Sequence, residues 1–362
     1  MSQVGILSPS LSIGDAVTND ALGMSEALKS RGYEVRLFCE THALDNGRVY
    51  DAARITRFLT GSDDILIYHY SMGWAPGLDL LQQLKCRKVV KYHNVTPAKF
   101  FHGFSSNDEH LCRTGREQLV DLVRSNCDLF LSASAFNMNE LISLGADISK
   151  SFVVPPFHHI DRLNKVSPDG AVLKTYSDGR TNILSVGRVA PHKGHLTLLE
   201  AFAHFYYNCN RASRLIIVGK GGEGLSPYSK LLNRAVDALG IREAVVFTGG
   251  VSEAALTAYY TVADVFVTAS EHEGFCVPLV EAMSMKTPIT AFASAAIPET
   301  LGDAGVVWPE RDPLLMAETL ALLAADSKLR TSLGARGLRR YQTHFTNEEI
   351  EAKFLSAISS LQ

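Results

Sequence analysis

Apolar residues along this chain come in short runs, separated by longer amphipathic stretches, and the two kinds alternate from one end to the other. Short runs rich in Val, Ile and Phe read as strands buried on both faces, and stretches with apolar residues three and four apart read as helices. In the first half the pattern predicts strands over Val4–Ser8, Glu34–Phe38, Asp64–Tyr70, Arg87–His93, Asp128–Ser132 and Phe152–Pro155. Helices are predicted over Ala16–Ser30, Glu109–Ser125 and Ala135–Leu144, several with Asp or Asn at their starts. Over residues 156–180 Pro, Gly, Asp and Ser accumulate and periodicity fades, which marks a domain boundary.

The alternation then restarts. Strands are predicted over Asn182–Val186, Arg214–Val218, Val245–Thr248, Val265–Ala269, Pro288–Ala291 and Val306–Trp308. Between and after them come helices over Gly194–Tyr207, Pro227–Leu239, Glu253–Val262, Val277–Ser284, Pro313–Ala325, Lys328–Gln342 and Asn347–Leu361. Strand–helix–strand alternation is the signature of parallel sheets in an α/β fold. The expected layout is two doubly wound domains, residues 1–163 and 164–345, with a terminal helix in 346–362 packing back toward the first. Ligands of such sheets bind beyond the carboxyl ends of the strands, where helix N-termini favour phosphate.

Composition narrows the classes. The 362 residues suit two domains, and 46% hydrophobic with 20% charged residues excludes a disordered chain. A net charge of −3, with neither half basic, gives no pull toward nucleic acid. The six cysteines form no C-x-x-C pair, so a zinc ribbon or dithiol motif is excluded and buried thiols in a reducing compartment are expected. The opening MSQVGILSPSLSIGD reads as a first strand, not a signal peptide, and no apolar run is long enough to span a bilayer. A cytoplasmic location is expected.

Two stretches carry candidate chemistry. The first, Gly187-Arg188-Val189-Ala190-Pro191-His192-Lys193-Gly194, leaves a strand and opens a helix. An Arg and a Lys there make either an anion site or a solvated basic loop. The second, Glu271-His272-Glu273-Gly274-Phe275-Cys276-Val277-Pro278, follows the strand ending at Ala269 and enters a helix carrying Glu281. Its glycine lets the backbone turn close to a ligand. Alone, its two acids read equally as a surface acid and a helix-face acid.

Together the stretches resemble the family-4 retaining glycosyltransferases of GT-B fold: G-R-x-x-x-x-K-G, then E-G-F-x-x-P-x-x-E-A. The run AYYTVADVFVTAS and Ala293–Glu299 are similar too. Lys220 stands where that family often has an acid. The resemblance implies two Rossmann-like domains facing each other across a cleft that binds a nucleotide-diphosphate sugar. It implies that Arg188 and Lys193 bind the diphosphate and neutralise the leaving group, that Glu273 accepts hydrogen bonds from the sugar, and that Glu281 holds the ribose. Further donor contacts are implied at Gly14, Asp15, Gly187, Gly219, Lys220, Gly249, Val251, Gly274, Phe275, Cys276 and Val277. His93, at a strand end, reads by itself as a packed residue; the resemblance makes it a contact to donor sugar or acceptor. His93-Asn94-Val95-Thr96-Pro97 and the segment Pro155–Asp161 look like bacterial mannosyltransferases of surface-polysaccharide pathways, implying GDP-mannose and a saccharide or polyprenol-linked acceptor.

Glu273 and Glu281 belong to opposite ends of one donor, so the paired carboxylates of a glycosidase, roughly 5–9 Å apart, are not expected. No protein base stands out, which points to front-face transfer with retention. No cofactor and no metal are expected, since Arg and Lys can serve the diphosphate. The rivals are a UDP-sugar donor, a non-catalytic sugar-nucleotide-binding protein, and an NAD(P)-dependent oxidoreductase. The last rests on the G-x-G-x-x-G match at Gly219–Gly224, whose expected acid falls at Asp237, inside the next helix. Lys85, Arg87, Lys88 and Lys91, with Lys99, Phe100, Phe101 and Phe104, leave peripheral membrane contact open.

Overall fold

The computed structural model describes residues 2–44, 49–222 and 224–361. The chain forms two compact units. One comprises Met1–Ala98, Asp108–His159 and Thr346–Gln362, and the other Lys99–Asn107 and Ile160–Phe345.

The first unit is built on seven parallel strands: β1 (Gln3–Leu11), β2 (Glu34–His42), β3 (Val49–Asp51), β4 (Ile65–Tyr70), β5 (Arg87–Tyr92), β6 (Leu129–Ser132) and β7 (Ser151–Val153). Their order is β3-β2-β1-β4-β5-β6-β7. In register, Ile6 lies between Leu37 and Ile67. The strands read as unbroken apolar runs because helices cover both faces of the sheet. On one face Met24 and Leu28 of helix Ala16–Ser30 meet Ile350 and Phe354 of the terminal helix Asn347–Ser359. Phe354 stands edge-on to Phe157, and Asn347 donates to the His158 carbonyl at 2.9 Å.

The second unit has six parallel strands: β8 (Thr181–Val186), β9 (Ser213–Val218), β10 (Val245–Gly249), β11 (Val265–Thr268), β12 (Ile289–Phe292) and β13 (Gly305–Trp308). Their order is β10-β9-β8-β11-β12-β13. Both sheets thus reverse direction beside their first strand, the switch point at which doubly wound folds bind ligands. Two short helices, Ile160–Leu163 and Gly170–Tyr176, stand in the stretch expected to be an irregular linker. The second is nucleated by Asp169, whose carboxylate accepts from Ala171 and Val172.

Glycine fixes two close approaches at the carboxyl ends of the strands of the second unit. Gly194 (φ +66°) precedes helix His195–Asn208, and a Cβ there would lie 2.0 Å from the Ala269 carbonyl oxygen at the end of β11. Gly219 (φ +151°) would put a Cβ 1.8 Å from the Gly187 oxygen. Both the left-handed backbone and the missing side chain are required. Gly194→Ala is therefore expected to cost on the order of 3 kcal/mol in urea denaturation, and a loss below about 0.5 kcal/mol would show that this contact is soft.

Candidate active site

In the second unit the loops after β8, β9 and β10 are laced edge to edge. Gly187 donates to the Val218 carbonyl (3.0 Å), Val189 to Lys220 (2.9 Å), and Gly219 to Gly249 (2.9 Å). This brings Gly187, Gly219, Lys220 and Gly249 together, with half-buried Val251 on the loop just beyond. Arg188 is exposed, and its charge acts on His192 and Lys193. The turn Pro191–Lys193 then carries Lys193 to the end of β11, where Gly194 seats it.

The acid loop meets it there. Glu271 donates its backbone N–H to the His192 carbonyl (2.7 Å), and the Glu273 carbonyl accepts from Ala296 (3.2 Å). Lys193 Nζ donates to Glu273 Oε1 at 2.6 Å, with side-chain exposures of 18% and 10%. Burial alone would lower the Lys193 pKa, but the Glu273 carboxylate outweighs it, with a smaller contribution from Cys276, and the ammonium is held above its ordinary value. Burial first, then the Lys193 and Arg188 cations, push the His192 imidazole well below its usual range, so it stays neutral beside them.

Beyond Glu273, half-buried Gly274 leads to buried Phe275 and Cys276. The Phe275 carbonyl accepts from Thr300 (2.8 Å). Cys276 takes a left-handed conformation (φ +75°), unusual for a residue with a side chain, and caps helix Val277–Ser284. In the first helical turn Pro278 has no N–H and the Leu279 N–H goes to the Cys276 carbonyl (3.1 Å), which leaves the Val277 amide at the helix start. Glu281 lies one turn further in, buried, its Oε2 taking the Tyr260 hydroxyl at 2.7 Å. The unit therefore assembles two cations, a largely buried carboxylate and the backbone of the Gly274–Val277 segment, with a fixed acid behind them. Such a set can hold a polyanion at one end and hydroxyl groups at the other.

Residues 99–107 belong to this unit although the neighbouring chain belongs to the other. Phe101 is buried against His192 (5.7 Å between ring centres), Phe100 lies near His192 and His272, and Phe104 stands edge-on to Tyr228. Lys91 is fully buried. Lys91 and Phe101 are thus core residues, while Lys85 and Lys99 are exposed.

In the first unit, Gly14 (φ +81°) turns the chain into helix Ala16–Ser30. The Asp15 carboxylate is taken up as that helix's N-cap, accepting from the Thr18 backbone (3.0 Å) and hydroxyl (3.2 Å). His93 follows β5, and the next residue, Asn94, is left-handed (φ +79°), clamped by Asn137 (2.9 Å) and Glu140 (3.1 Å).

Behind His93 lies a polar cluster that periodicity did not reveal. His93 Nε2 is 2.9 Å from His69 Nδ1, and Asp20 Oδ2 is 3.5 Å from both His93 Nε2 and Lys91 Nζ. One sequence signal was available: a Lys inside Val89-Val90-Lys91-Tyr92 must be paired to be buried. The ligating atoms of Asp20, His69 and His93 fall within 4.8 Å of one another. A cation would suit that spacing, but the Lys91 ammonium already supplies the positive charge. Burial lifts the Asp20 carboxyl to about 6 against the pull of Lys91. A raised folded-state pKa stabilises below the ordinary 3.8 and loses that contribution as pH rises through about 6. The double variant Asp20→Asn/Lys91→Met should therefore gain on the parent by up to roughly 3 kcal/mol between pH 4 and 7; an equal stability difference at both pH values in urea denaturation would contradict it.

Comparison with known proteins agrees with this geometry. Residues 174–340 match the family model described as Glycosyl transferases group 1. The D-inositol 3-phosphate glycosyltransferase of Xylanimonas cellulosilytica is 29% identical over 251 residues, 67% of this chain and 58% of that protein. The GDP-mannose-dependent alpha-(1-6)-phosphatidylinositol monomannoside mannosyltransferase of Mycobacterium tuberculosis is 28% identical over 224 residues, 58% of this chain and 56% of that protein. The chain thus spans a little over half the length of these curated relatives. Among solved structures, HepE from Anabaena in complex with UDP and glucose superposes with a TM-score of 0.79 at 16% identity, covering 99% of this chain and all of that one. WaaG, a glycosyltransferase involved in lipopolysaccharide biosynthesis, gives 0.74 at 13% identity, covering 98% of each. At these identities the structural likeness is one of fold, and that fold is GT-B. The likeness to the group 1 glycosyl transferases thus lies in residues 174–340, which hold both loop motifs.

Proposed function

We propose that the protein is a retaining glycosyltransferase that takes a hexosyl group from a nucleotide-diphosphate donor. The observation that carries this reading is the meeting of Lys193 with Glu273 at 2.6 Å beside Arg188, on loops laced at the carboxyl ends of β8–β11. A donor diphosphate takes the place of one partner at Lys193, and Glu273 turns to the sugar hydroxyls. Arg188 and Lys193 oppose the charge that grows on the leaving phosphate, a preorganised contribution of about 3 kcal/mol for each group. The amides of Gly274, Phe275, Cys276 and Val277 donate to the same phosphate or sugar. Glu281, held by Tyr260, accepts the ribose hydroxyls.

The first unit contributes His93, as a contact to the transferred sugar or the acceptor hydroxyl, and the Gly14 loop. No carboxylate pair with glycosidase spacing is needed, so the departing phosphate oxygen receives the acceptor's proton on the same face, with retention. Mannose from GDP-mannose is the favoured donor. The support is the His93–Pro97 and Pro155–Asp161 segments and the mannosyltransferase among the relatives. A UDP-sugar is the second reading, favoured by the fold shared with a UDP-bound neighbour. A saccharide or polyprenol-linked saccharide in surface polysaccharide synthesis is the proposed acceptor. No helix among the described residues is long and apolar enough to cross a membrane.

A thermal-shift panel of sugar nucleotides tests the donor, because a ligand at a hundred times its Kd adds about 2.7 kcal/mol of apparent stability. GDP-mannose should give the largest shift, and a larger shift with a UDP-sugar would reverse the choice. Lys193→Ala and Arg188→Ala should each lower kcat by roughly a hundredfold, and normal turnover in both would end the assignment. Glu281→Ala should weaken donor binding more than it lowers kcat. Activity should persist in EDTA, and complete loss that added magnesium restores would require a metal.

A further inference from the structure

Asp20 lies on the inner side of helix Ala16–Ser30, His69 on β4, Lys91 on β5 and His93 one residue past the end of β5. Asp20, His69 and Lys91 have no exposed side-chain surface, and His93 keeps 8% of its own. The cluster is pinned on its far side. Asp20 Oδ1 accepts from the Phe157 amide at 2.8 Å, and Lys91 Nζ donates to the Val154 carbonyl. Within it, His93 turns Nε2 inward, and its Nδ1 has no protein partner among the described residues.

Burial, with the Lys91 cation adding to it, holds both imidazoles far toward the neutral form, His69 down to about 3. A neutral imidazole carries one N–H and one lone pair. The 2.9 Å contact between His69 Nδ1 and His93 Nε2 therefore contains a single hydrogen, carried by one ring or the other. Asp20 chooses between them. Its Oδ2 lies 3.5 Å from His93 Nε2 and 3.9 Å from His69 Nδ1. A hydrogen on His93 Nε2 turns the positive end of an N–H toward the nearer carboxylate contact, whereas the opposite arrangement sets a lone pair there. With the hydrogen on His93 Nε2, His69 carries its own on Nε2, which is buried without a partner, so the attraction of the Asp20 carboxylate has to outweigh that orphaned N–H.

We propose that Asp20 and His69 are positioning residues that hold His93 as its Nε2–H tautomer, so that Nδ1 meets the substrate as a hydrogen-bond acceptor. This rests on the reading of His93 as a substrate contact. A sugar or acceptor hydroxyl then donates to Nδ1 and is oriented by it. The imidazole is too weak a base to keep that proton, which fits a reaction in which the departing phosphate receives it. The sealed cluster thus assigns His93 to aiming a hydroxyl and not to general base catalysis.

The test uses the full chain labelled with nitrogen-15 histidine at neutral pH. Two-bond proton–nitrogen spectra report which ring nitrogen carries hydrogen, and the His93 signals are assigned by their loss in His93→Gln. The parent should show His93 protonated at Nε2 and bare at Nδ1. In Asp20→Asn/Lys91→Met, which removes both buried charges together, the tautomer should mix. Turnover should fall roughly ten- to a hundredfold, the usual cost of removing an imidazole's orienting partner, with the donor KM unchanged. A parent protonated at Nδ1, or a double variant with an unchanged tautomer, overturns the proposal. The reading it rests on fails separately: full transfer activity in His93→Ala removes His93 from the substrate, whatever its tautomer.

Discussion

The ion pair between Lys193 and Glu273 sets the requirement that shapes the second unit. Its 2.6 Å separation joins a turn that follows β8 to a loop that follows β11, so both loops must leave the sheet at heights that let two short reaches meet. The rest of the architecture around it serves that registration. Gly194 lets the β8 turn press against the Ala269 carbonyl, where any side chain would push it away. The backbone bond from Glu271 to the His192 carbonyl ties the loops a second time, two residues before Glu273. Phe101 packs on the His192 ring from a segment that lies nearly a hundred residues earlier in the chain. A pair this close and this shielded is costly to misplace, because an unmatched charge in a half-dry site keeps its desolvation penalty and loses its partner.

Much of this was legible in one dimension. Strand and helix positions followed from buried parallel strands being unbroken apolar runs, and helices Glu253–Val262, Val277–Ser284 and Pro313–Ala325 have the bounds that periodicity predicts. The basic and acidic loops were legible only as a pair, through the spacing of their two motifs, since each alone reads equally as a solvated turn. What could not be read depends on three-dimensional pairing. Asp20, His69 and Lys91 come from a helix and two strands, and no spacing in the sequence joins them. The packing of Phe101 and Phe104 could not be read because their partners, His192 and Tyr228, lie far along the chain. The cap at Asp15 is a local matter by contrast: an Asp after a glycine turn suits a helix start, and its carboxylate accepts from Thr18.

The two units treat buried charge differently. In the first, Asp20 and Lys91 have no access to solvent, and two neutral imidazoles fill the space between them and the surface. Such a pair adds little stability compared with apolar side chains of the same size, since desolvation offsets most of its attraction. Its effect is orientation, because a charge that cannot move fixes the dipoles around it. In the second, Lys193 and Glu273 keep part of their surface open, so their partners can be exchanged. One arrangement suits a residue that must hold a single posture; the other suits groups that must change partners when a ligand arrives.

That exchange explains why the Lys193–Glu273 pair is consistent with a donor site. Without ligand, each group shields the other, and neither stands as an isolated charge in a half-buried pocket. A bare Lys193 would bind a diphosphate more tightly, but that gain would hold the reactant and the transition state alike and add nothing to the rate. With Glu273 beside it, the ammonium divides its attraction in the ground state. As the bond to the leaving phosphate breaks, negative charge accumulates on the phosphate and the balance shifts toward it. Glu273, released in part from Lys193, is then free to accept more strongly from sugar hydroxyls made more acidic by the developing positive charge on the ring. Under the proposed function both interactions strengthen along the same coordinate, as a catalytic ion pair requires and a structural one does not.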